Sequence, residues 1–227
     1  MIAAPRVAGA GGIDVPIDTT QSRAGATAAR ATAAVIVEAV AAAGLAVVRD
    51  ALPAALVGAW RAAAVERDAA GEFRAAGVGR AAARTERADV RGDRIRWIGP
   101  AEATPAETAL FAYVETLRVA VNEALYLGLF DFEGHYAFYP PGGGYARHLD
   151  RFRDDDARVL TLILYLNDGW ADAHGGCLRI ALADGATRDV RPDGGTLVAF
   201  LSDRFPHEVL PATRERLAFT GWYRRRA

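Results

Sequence analysis

The chain is short of several residue types, and each shortage narrows the possible functions. Its one cysteine, Cys177, excludes an internal disulfide and is compatible with a reducing cytosol. It has no lysine: all 27 basic residues are arginine, which together with the abundant alanine indicates a GC-rich, bacterial coding bias. It also lacks an uninterrupted apolar run long enough to span a bilayer, and it lacks a basic segment followed by an apolar core. We therefore expect no membrane partner and no signal peptide.

Charge and length limit the class of protein further. The formal net charge of the 227 residues is -1, so no basic excess is present that would attract nucleic acid or anionic lipid. A chain of this length can bury a full core and fits one domain. We expect a soluble, cytoplasmic, globular protein with no nucleic-acid partner. The composition leaves the oligomeric state open.

Helical patterns dominate the first part of the chain. Residues 1–23 mix Gly, Pro, Thr and Asp without periodicity, which is typical of a loose tail. Residues 26–43 are rich in helix formers and stop at Gly44. Residues 45–48 favour a short strand, and a second amphipathic helix is predicted from Pro53 to about Arg67.

Two contrasting segments come next. Residues 71–98 are rich in Gly and Arg, which favours an extended loop or hairpin; taken alone, the tripeptide at 91–93 is typical of an exposed turn. Thr104 and Glu107 form a capping box with a proline at the first helical position. The helix that follows is predicted to place one face on the core, because apolar residues recur at helical spacing: Leu110, Val114, Leu117, Val121 and Leu125.

After Gly128 the pattern changes to short strands separated by turn residues. The candidate strands are 135–140, 145–150, 158–167, 176–182, 187–191, 195–201, 205–210 and 215–224. This spacing predicts a mainly β fold: a double-stranded β-helix, or cupin-like jelly roll, with the N-terminal helices packed on one sheet. We expect one domain over 24–227, with helical support at 24–128 and the jelly-roll core at 129–224.

The tripeptide His148-Leu149-Asp150 is the leading candidate for a metal site. Residues two apart on a strand project to the same face, so His148 and Asp150 could share one ion. His207 on a later strand would complete two imidazoles and one carboxylate, the ligand set of non-haem Fe(II) sites. An isolated His-x-Asp pair is more often a surface or hydrogen-bonded pair. The other two histidines, His135 and His174, favour structural or solvent-exposed roles.

An arginine on the last strand would suit an anionic co-substrate. Strand alternation places Arg216, Ala218, Thr220 and Trp222 on one face. An interior guanidinium is costly unless an anion meets it, and its planar fork fits a carboxylate. The alternative is a structural salt bridge, and Arg214 is a competing candidate.

Three tyrosines and the single cysteine could be either structural core residues or part of a functional site. Core packing is the default for Tyr139, Tyr145 and Tyr165, although their hydroxyls need partners when buried. A carboxylate or a metal-bound water would supply such partners. Cys177 is most simply a small core residue.

Five segments, in order along the chain, resemble the Fe(II)- and 2-oxoglutarate-dependent dioxygenases, and more narrowly the hypoxia-sensing prolyl 4-hydroxylases and their bacterial relatives. The resemblance covers roughly residues 45–224. Its matching segments are R-G-D-R-I-R-W-I (91–98), Y-P-P-G-G-G-Y-A-R-H-L-D (139–150), L-Y-L-N (164–167), G-G-C-L-R-I (175–180) and H-E-V-L-P-A-T-R-E-R-L-A-F-T-G-W-Y (207–223).

The resemblance implies a role for each matching residue. His148, Asp150 and His207 would ligate Fe(II). Arg216 would pair with the distal carboxylate of 2-oxoglutarate, helped by the hydroxyl of Tyr165. The remaining matches would line the co-substrate pocket (Tyr139 and Thr220), lie near the reacting centre (Tyr145 and Trp222), or belong to a loop that folds over the substrate (Arg91, Asp93 and Trp97).

The reaction implied is hydroxylation of a C–H bond, with O2 and 2-oxoglutarate consumed, succinate and CO2 released, and ascorbate as reductant. A prolyl residue of a protein is the first candidate substrate. A free amino acid or another small metabolite is the alternative. From a different class, the jelly roll could be a metal- or ligand-sensing module without turnover.

Overall fold

The computed structural model describes residues 19–78, 85–87, 90–151 and 157–226. The predicted tail therefore lies outside the described residues except for 19–23, which belong to helix α1, Thr19–Ala43. The tail prediction was wrong for those residues because all five are polar, so they carry no apolar periodicity from which a helix could be predicted. Gly44, with φ +76°, ends the helix by donating its backbone N–H to the carbonyl of Val40 at 2.9 Å.

Two further helices start where the sequence predicts. Helix α2, Ala54–Ala69, follows Pro53, and helix α3, Pro105–Leu125, begins with the predicted capping box. In that box the backbone N–H of Thr104 donates to Glu107 Oε2 at 2.8 Å, and the backbone N–H of Glu107 donates to Thr104 Oγ1 at 3.3 Å. Two single-turn 3-10 helices lie at Pro100–Glu102 and Asp172–His174.

The described residues form thirteen strands, and every predicted strand after Gly128 is among them. They are β1 Leu45–Val48, β2 Arg74–Ala75, β3 Gly77–Val78, β4 Thr85–Glu86, β5 Arg94–Ile98, β6 Asp131–Tyr139, β7 Tyr145–His148, β8 Arg158–Tyr165, β9 Leu178–Ala181, β10 Thr187–Val190, β11 Leu197–Leu201, β12 His207–Val209 and β13 Arg216–Arg224.

The strands build two facing antiparallel sheets. The larger sheet has the order β1-β11-β8-β13-β6-β5-β2, and the smaller has the order β10-β9-β12-β7. Strands β3 and β4 pair separately as a small ribbon. The jelly-roll prediction is therefore confirmed, with β1, β2 and β5 widening the larger sheet.

Strand alternation separates the core into two layers. The outward residues of β13, Leu217, Phe219 and Tyr223, pack with the helices in one apolar cluster. The inward residue Ala218 belongs to a second cluster, between the sheets. The predicted packing of helices on one sheet is confirmed, and the space between the sheets is left for a site.

Helix α1 contains a long apolar stretch. The stretch Gly25–Ala43 is long and apolar enough to cross a membrane by length and composition alone, although it carries Arg30 and Glu38. In this fold its Ala29, Ala33 and Ile36 lie in the same apolar cluster as the outer face of the larger sheet. That packing buries 28% of the stretch.

Candidate active site

Two strands of the smaller sheet bring the three predicted metal ligands together. Strands β7 and β12 are antiparallel, and their register places His148 opposite His207. Asp150 follows β7, and its two carboxylate oxygens lie 3.6 Å from His148 Nε2 and 3.6 Å from His207 Nε2. One ligand atom from each residue lies within 4.8 Å of the others, a spacing that fits a single ion.

Backbone carbonyls fix the orientation of both imidazoles. Nδ1 of His148 lies 2.8 Å from the carbonyl oxygen of Ala146, and Nδ1 of His207 lies 2.9 Å from that of Phe205. A carbonyl only accepts, so each Nδ1 carries the proton and each Nε2 keeps its lone pair for a metal.

The carboxylate of Asp150 is held by a chain of hydroxyls beneath it. Thr161 donates to Asp150 Oδ2 at 2.8 Å, and Ser202 Oγ lies 2.9 Å from Thr161 Oγ1. Burial favours the neutral acid, but His207, His148 and Thr161 together hold the pKa of Asp150 below its usual value. Burial also lowers the pKa of His207. Asp150 is therefore a charged carboxylate and His207 a neutral imidazole, the protonation states in which these side chains bind a metal.

Arg216 lies in the same cavity as the triad and is 2% exposed. Its Nε donates to the carbonyl of Gly176 at 3.0 Å, and within the described ranges no carboxylate forms an ion pair with it. The salt bridge considered as an alternative is therefore absent from the described residues. Arg214 is only partly buried, donates to the carbonyl of Asp168 at 3.3 Å and lies outside the cavity lining.

Two tyrosines flank the Arg216 guanidinium. Its central carbon lies 5.1 Å from the ring centre of Tyr139 and 5.0 Å from that of Tyr165. Burial raises the pKa of Tyr165 to about 12, against the opposing effect of Arg216, so its hydroxyl stays protonated. That hydroxyl is buried and finds no hydrogen-bond partner in the described part of the chain. The Arg216 guanidinium and the Tyr165 hydroxyl are thus neighbouring groups that could both bind an anion, and no described carboxylate pairs with them.

The cavity that joins these groups has a volume of about 360 Å³. It holds every predicted site residue except Tyr165, which stands beside Arg216, and Asp93, which lies behind Arg91. The predicted residues that line it are His148, Asp150, His207, Arg216, Tyr139, Thr220, Tyr145, Trp222, Arg91 and Trp97.

Tyr145, Arg91 and Asp93 make one stack beside the metal ligands. The ring centre of Tyr145 lies 3.7 Å from that of His148, and the guanidinium carbon of Arg91 lies 4.7 Å from the Tyr145 ring centre. Arg91 donates to Asp93 through Nε and Nη2 at 2.7 and 3.0 Å, and Asp93 is 3% exposed. The exposed-turn interpretation of residues 91–93 was therefore wrong: the segment bridges to β7 and buries its acid.

Sequence reasoning missed four residues of the site. His135 was expected to be structural or exposed, but it lies on β6, lines the cavity and is 2% exposed. Its place on the inward face could have been read from its spacing to Tyr139, four residues on. Arg158 also lines the cavity and lies 3.5 Å over the ring of Trp222. Thr161 and Ser202 carry no sequence signal, because their pairing depends on the register of β8 and β11.

Comparison with known proteins agrees with this geometry. Residues 134–224 match the profile of the 2OG-Fe(II) oxygenase superfamily. A crystal structure of a Pseudomonas putida prolyl-4-hydroxylase is 49% identical, covers 86% of this chain and 100% of that one, and superposes with a TM-score of 0.78. The chain belongs to the 2OG-Fe(II) oxygenase superfamily. The superfamily takes its name from Fe(II) and 2-oxoglutarate. In this chain the residues grouped to hold a metal ion are His148, Asp150 and His207.

Two further relatives of this oxygenase carry similar names. A Trichoplax adhaerens prolyl hydroxylase, solved with a peptide of the hypoxia-inducible factor oxygen degradation domain, is 29% identical, covers 87% of this chain and 90% of that one, and has a TM-score of 0.78. The human prolyl hydroxylase EGLN3 is 39% identical over 142 residues. That match spans 59% of this chain and 59% of the human protein, which is less than two thirds of its length.

Proposed function

We propose that this protein is a prolyl hydroxylase that uses Fe(II), O2 and 2-oxoglutarate to hydroxylate a prolyl residue of a protein. The observation that carries the proposal is Arg216, a buried guanidinium without a carboxylate partner in the described residues, in the same cavity as His148, Asp150 and His207. Such a cation needs an anionic ligand. The names of the relatives support the choice of prolyl substrate.

The residues fit both absent groups. His148 Nε2, Asp150 and His207 Nε2 would hold Fe(II) on one side and leave the cavity side open. Fe(II) bound there would supply the redox chemistry by which substrate, O2 and 2-oxoglutarate give hydroxylated product, succinate and CO2. Arg216 would bind the distal carboxylate of 2-oxoglutarate bidentately, with the hydroxyl of Tyr165 as a further donor.

Two small side chains lie on the inward face of the larger sheet next to Arg216 and Tyr139. Ala137 on β6 and Ala218 on β13 are paired across the larger sheet, on its inward face. On this inward face Ala137 is next to Tyr139 along β6, and Ala218 is next to Arg216 along β13. Thr220 is the next inward residue of β13 after Ala218. We infer that 2-oxoglutarate lies over the two alanines, with Tyr139 and Thr220 at its sides.

The other end of the cavity would receive the substrate. Trp97, 39% exposed, stands at the opening, with Trp222 6.0 Å from it between ring centres. Tyr145 would lie near the reacting carbon, with its position fixed by its stack on His148 and by the Arg91–Asp93 pair. Flat apolar faces suit a proline ring, and a buried wall shields the oxidising centre from water.

The test is a comparison of proteomes. Host cells expressing the wild-type chain should show a prolyl residue that gains one oxygen atom by mass spectrometry. Cells expressing the Asp150→Ala variant, which lacks the carboxylate ligand, should show no such gain of oxygen. Hydroxylation of free proline by purified protein, with no modified protein in the cells, would favour the small-metabolite alternative instead. No succinate from fully metallated protein with either substrate would favour the sensing module.

Two expectations stay predictions: ascorbate as reductant, which the resemblance implies, and a cytoplasmic location, which the single cysteine supports. Succinate yield with and without ascorbate, and fractionation of host cells, would test them.

A further inference from the structure

His135 occupies the substrate end of the cavity and has no part in the roles assigned above. It lies on the inward face of β6, where the sheet register places it opposite Trp97 on β5 and Thr220 on β13. Its ring centre lies 4.8 Å from that of Trp97 and 5.6 Å from that of Trp222. The imidazole therefore lies beside two indole rings at the cavity wall.

The hydrogen bonding of His135 fixes what it can offer. Its Nδ1 lies 3.1 Å from the carbonyl oxygen of Tyr136, which can only accept, so the proton is on Nδ1. Burial, reinforced by Arg91, lowers the pKa of His135 to about 4, so the ring is neutral at physiological pH. Nε2 is then an acceptor, and no residue in the described ranges hydrogen-bonds to it.

A bound substrate would cover this acceptor. Among the described residues neither indole N–H is hydrogen-bonded to it, and the Nε1–H of Trp222 is itself buried without a partner. A substrate that fills the cavity expels the water that could otherwise serve. A buried acceptor left without a donor weakens binding, so the preferred substrate is one that brings an N–H group to this position.

We propose that His135 is a specificity residue whose Nε2 accepts a hydrogen bond from the backbone N–H of the residue that follows the target proline. The inference rests on the proposed function. Proline in a chain has no N–H of its own, so the next residue supplies the nearest backbone donor. Free proline has no following residue and cannot make this contact. His135 thereby selects prolyl residues within a polypeptide.

The test compares two probes that differ in this one group. N-acetyl-L-proline N-methylamide carries the N–H after the proline, and N-acetyl-L-proline methyl ester has an oxygen in its place. Binding is followed by quenching of tryptophan fluorescence, because Trp97 and Trp222 line the site. Titrations use the full chain with anaerobic Fe(II) and 2-oxoglutarate, and are repeated without them. Wild type should bind the amide about tenfold more tightly than the ester.

Three variants locate the effect. His135→Leu should lose the preference for the amide, and His135→Gln, which can still accept, should keep most of it. His174→Leu, at a histidine outside the cavity lining, should match wild type. Equal binding of the probes by wild type, no saturable quenching by either, or a preference that persists in folded His135→Leu would each overturn the proposal.

Failure of the proposed function would look different. A chain that lacks turnover would form no succinate, whatever its preference between the probes. Turnover of a prolyl protein with equal binding of amide and ester would leave the hydroxylase intact and overturn only the role of His135.

Discussion

The hydroxyl of Thr161 donates a hydrogen bond of 2.8 Å to Oδ2 of Asp150, the same oxygen that lies 3.6 Å from His207 Nε2. Thr161 is fully buried on β8, and Ser202 Oγ lies 2.9 Å from its hydroxyl. The bond joins the two sheets directly beneath the triad. It sets which way the carboxylate faces before any metal arrives.

Thr161→Val should weaken metal binding about 10- to 100-fold, because it keeps the side-chain shape and removes the donor that orients Asp150. Anaerobic calorimetric titration with Fe(II) would measure the affinity. Thr161→Ser, which keeps the hydroxyl, is the matched control and should stay close to wild type. An unchanged affinity in Thr161→Val would mean that Asp150 is positioned without this bond.

Arg216→Met should raise the dissociation constant of 2-oxoglutarate about 30-fold or more, because loss of one partner from a buried charge pair costs at least 2 kcal/mol. The affinity can be measured anaerobically on metallated protein. Arg214→Met removes a neighbouring arginine outside the cavity lining and should have little effect. A larger loss in Arg214→Met than in Arg216→Met would transfer the co-substrate role to Arg214.

Much of this arrangement could be predicted because it depends on local patterns. The alternation along β13 correctly separated Arg216, Thr220 and Trp222, which line the cavity, from residues that pack under the helices. The capping box fixed the start of α3 for the same reason, since its two hydrogen bonds join residues three positions apart.

What could not be predicted depends on contacts between distant segments. Ser202 supports Thr161 only because β11 and β8 pair in one particular register. Asp93 is buried because its segment bridges to β7, a contact that the polar tripeptide does not reveal. His135 was misjudged although it lies inside the predicted strand 135–140, because its contacts with Trp97 on β5 and Trp222 on β13 depend on the register of three strands.

Acid should destabilise the wild-type fold partly through His135. Its pKa is lowered to about 4 in the folded chain, against about 6.5 when unfolded. Between these values the unfolded chain binds a proton that the folded chain does not. Stability is therefore lost as the pH falls through this window, by about 2 kcal/mol at pH 5 relative to pH 7.5.

Urea denaturation of metal-free protein at the two pH values would measure this loss. His135→Gln has no titrating imidazole and should be correspondingly less sensitive to acid, while His207 contributes equally in both proteins. Equal acid sensitivity of wild type and His135→Gln would contradict the burial of a neutral imidazole in the cavity.

Glu107→Gln should lower the free energy of unfolding by about 2 kcal/mol. Glu107 is fully buried and its two oxygens accept from Arg67 Nε and Nη2 at 2.7 and 2.8 Å. Glutamine keeps the capping box but removes the charge. Because Arg67 retains Glu72, the loss should be smaller than the 3–5 kcal/mol typical of breaking an isolated buried pair.

Thermal denaturation would measure the effect, at roughly 2–4 °C per kcal/mol for a chain of this size. Glu115→Gln is the matched control on the same helix, since the side chain of Glu115 is 56% exposed in its pair with Arg118. It should cost about 0.5 kcal/mol or less. Equal losses in the two variants would mean that the Arg67–Glu107 pair adds nothing through burial.

The most direct test of the account is the fate of oxygen during turnover. Metallated protein should be incubated with 2-oxoglutarate, 18O-labelled O2 and a lysate of host cells that lack this protein. We predict one labelled oxygen atom on a prolyl residue of a protein and one in succinate, both lost in Asp150→Ala. Labelled succinate with no labelled prolyl residue, or label incorporated equally by Asp150→Ala, would contradict a prolyl hydroxylase built on the His148–Asp150–His207 site.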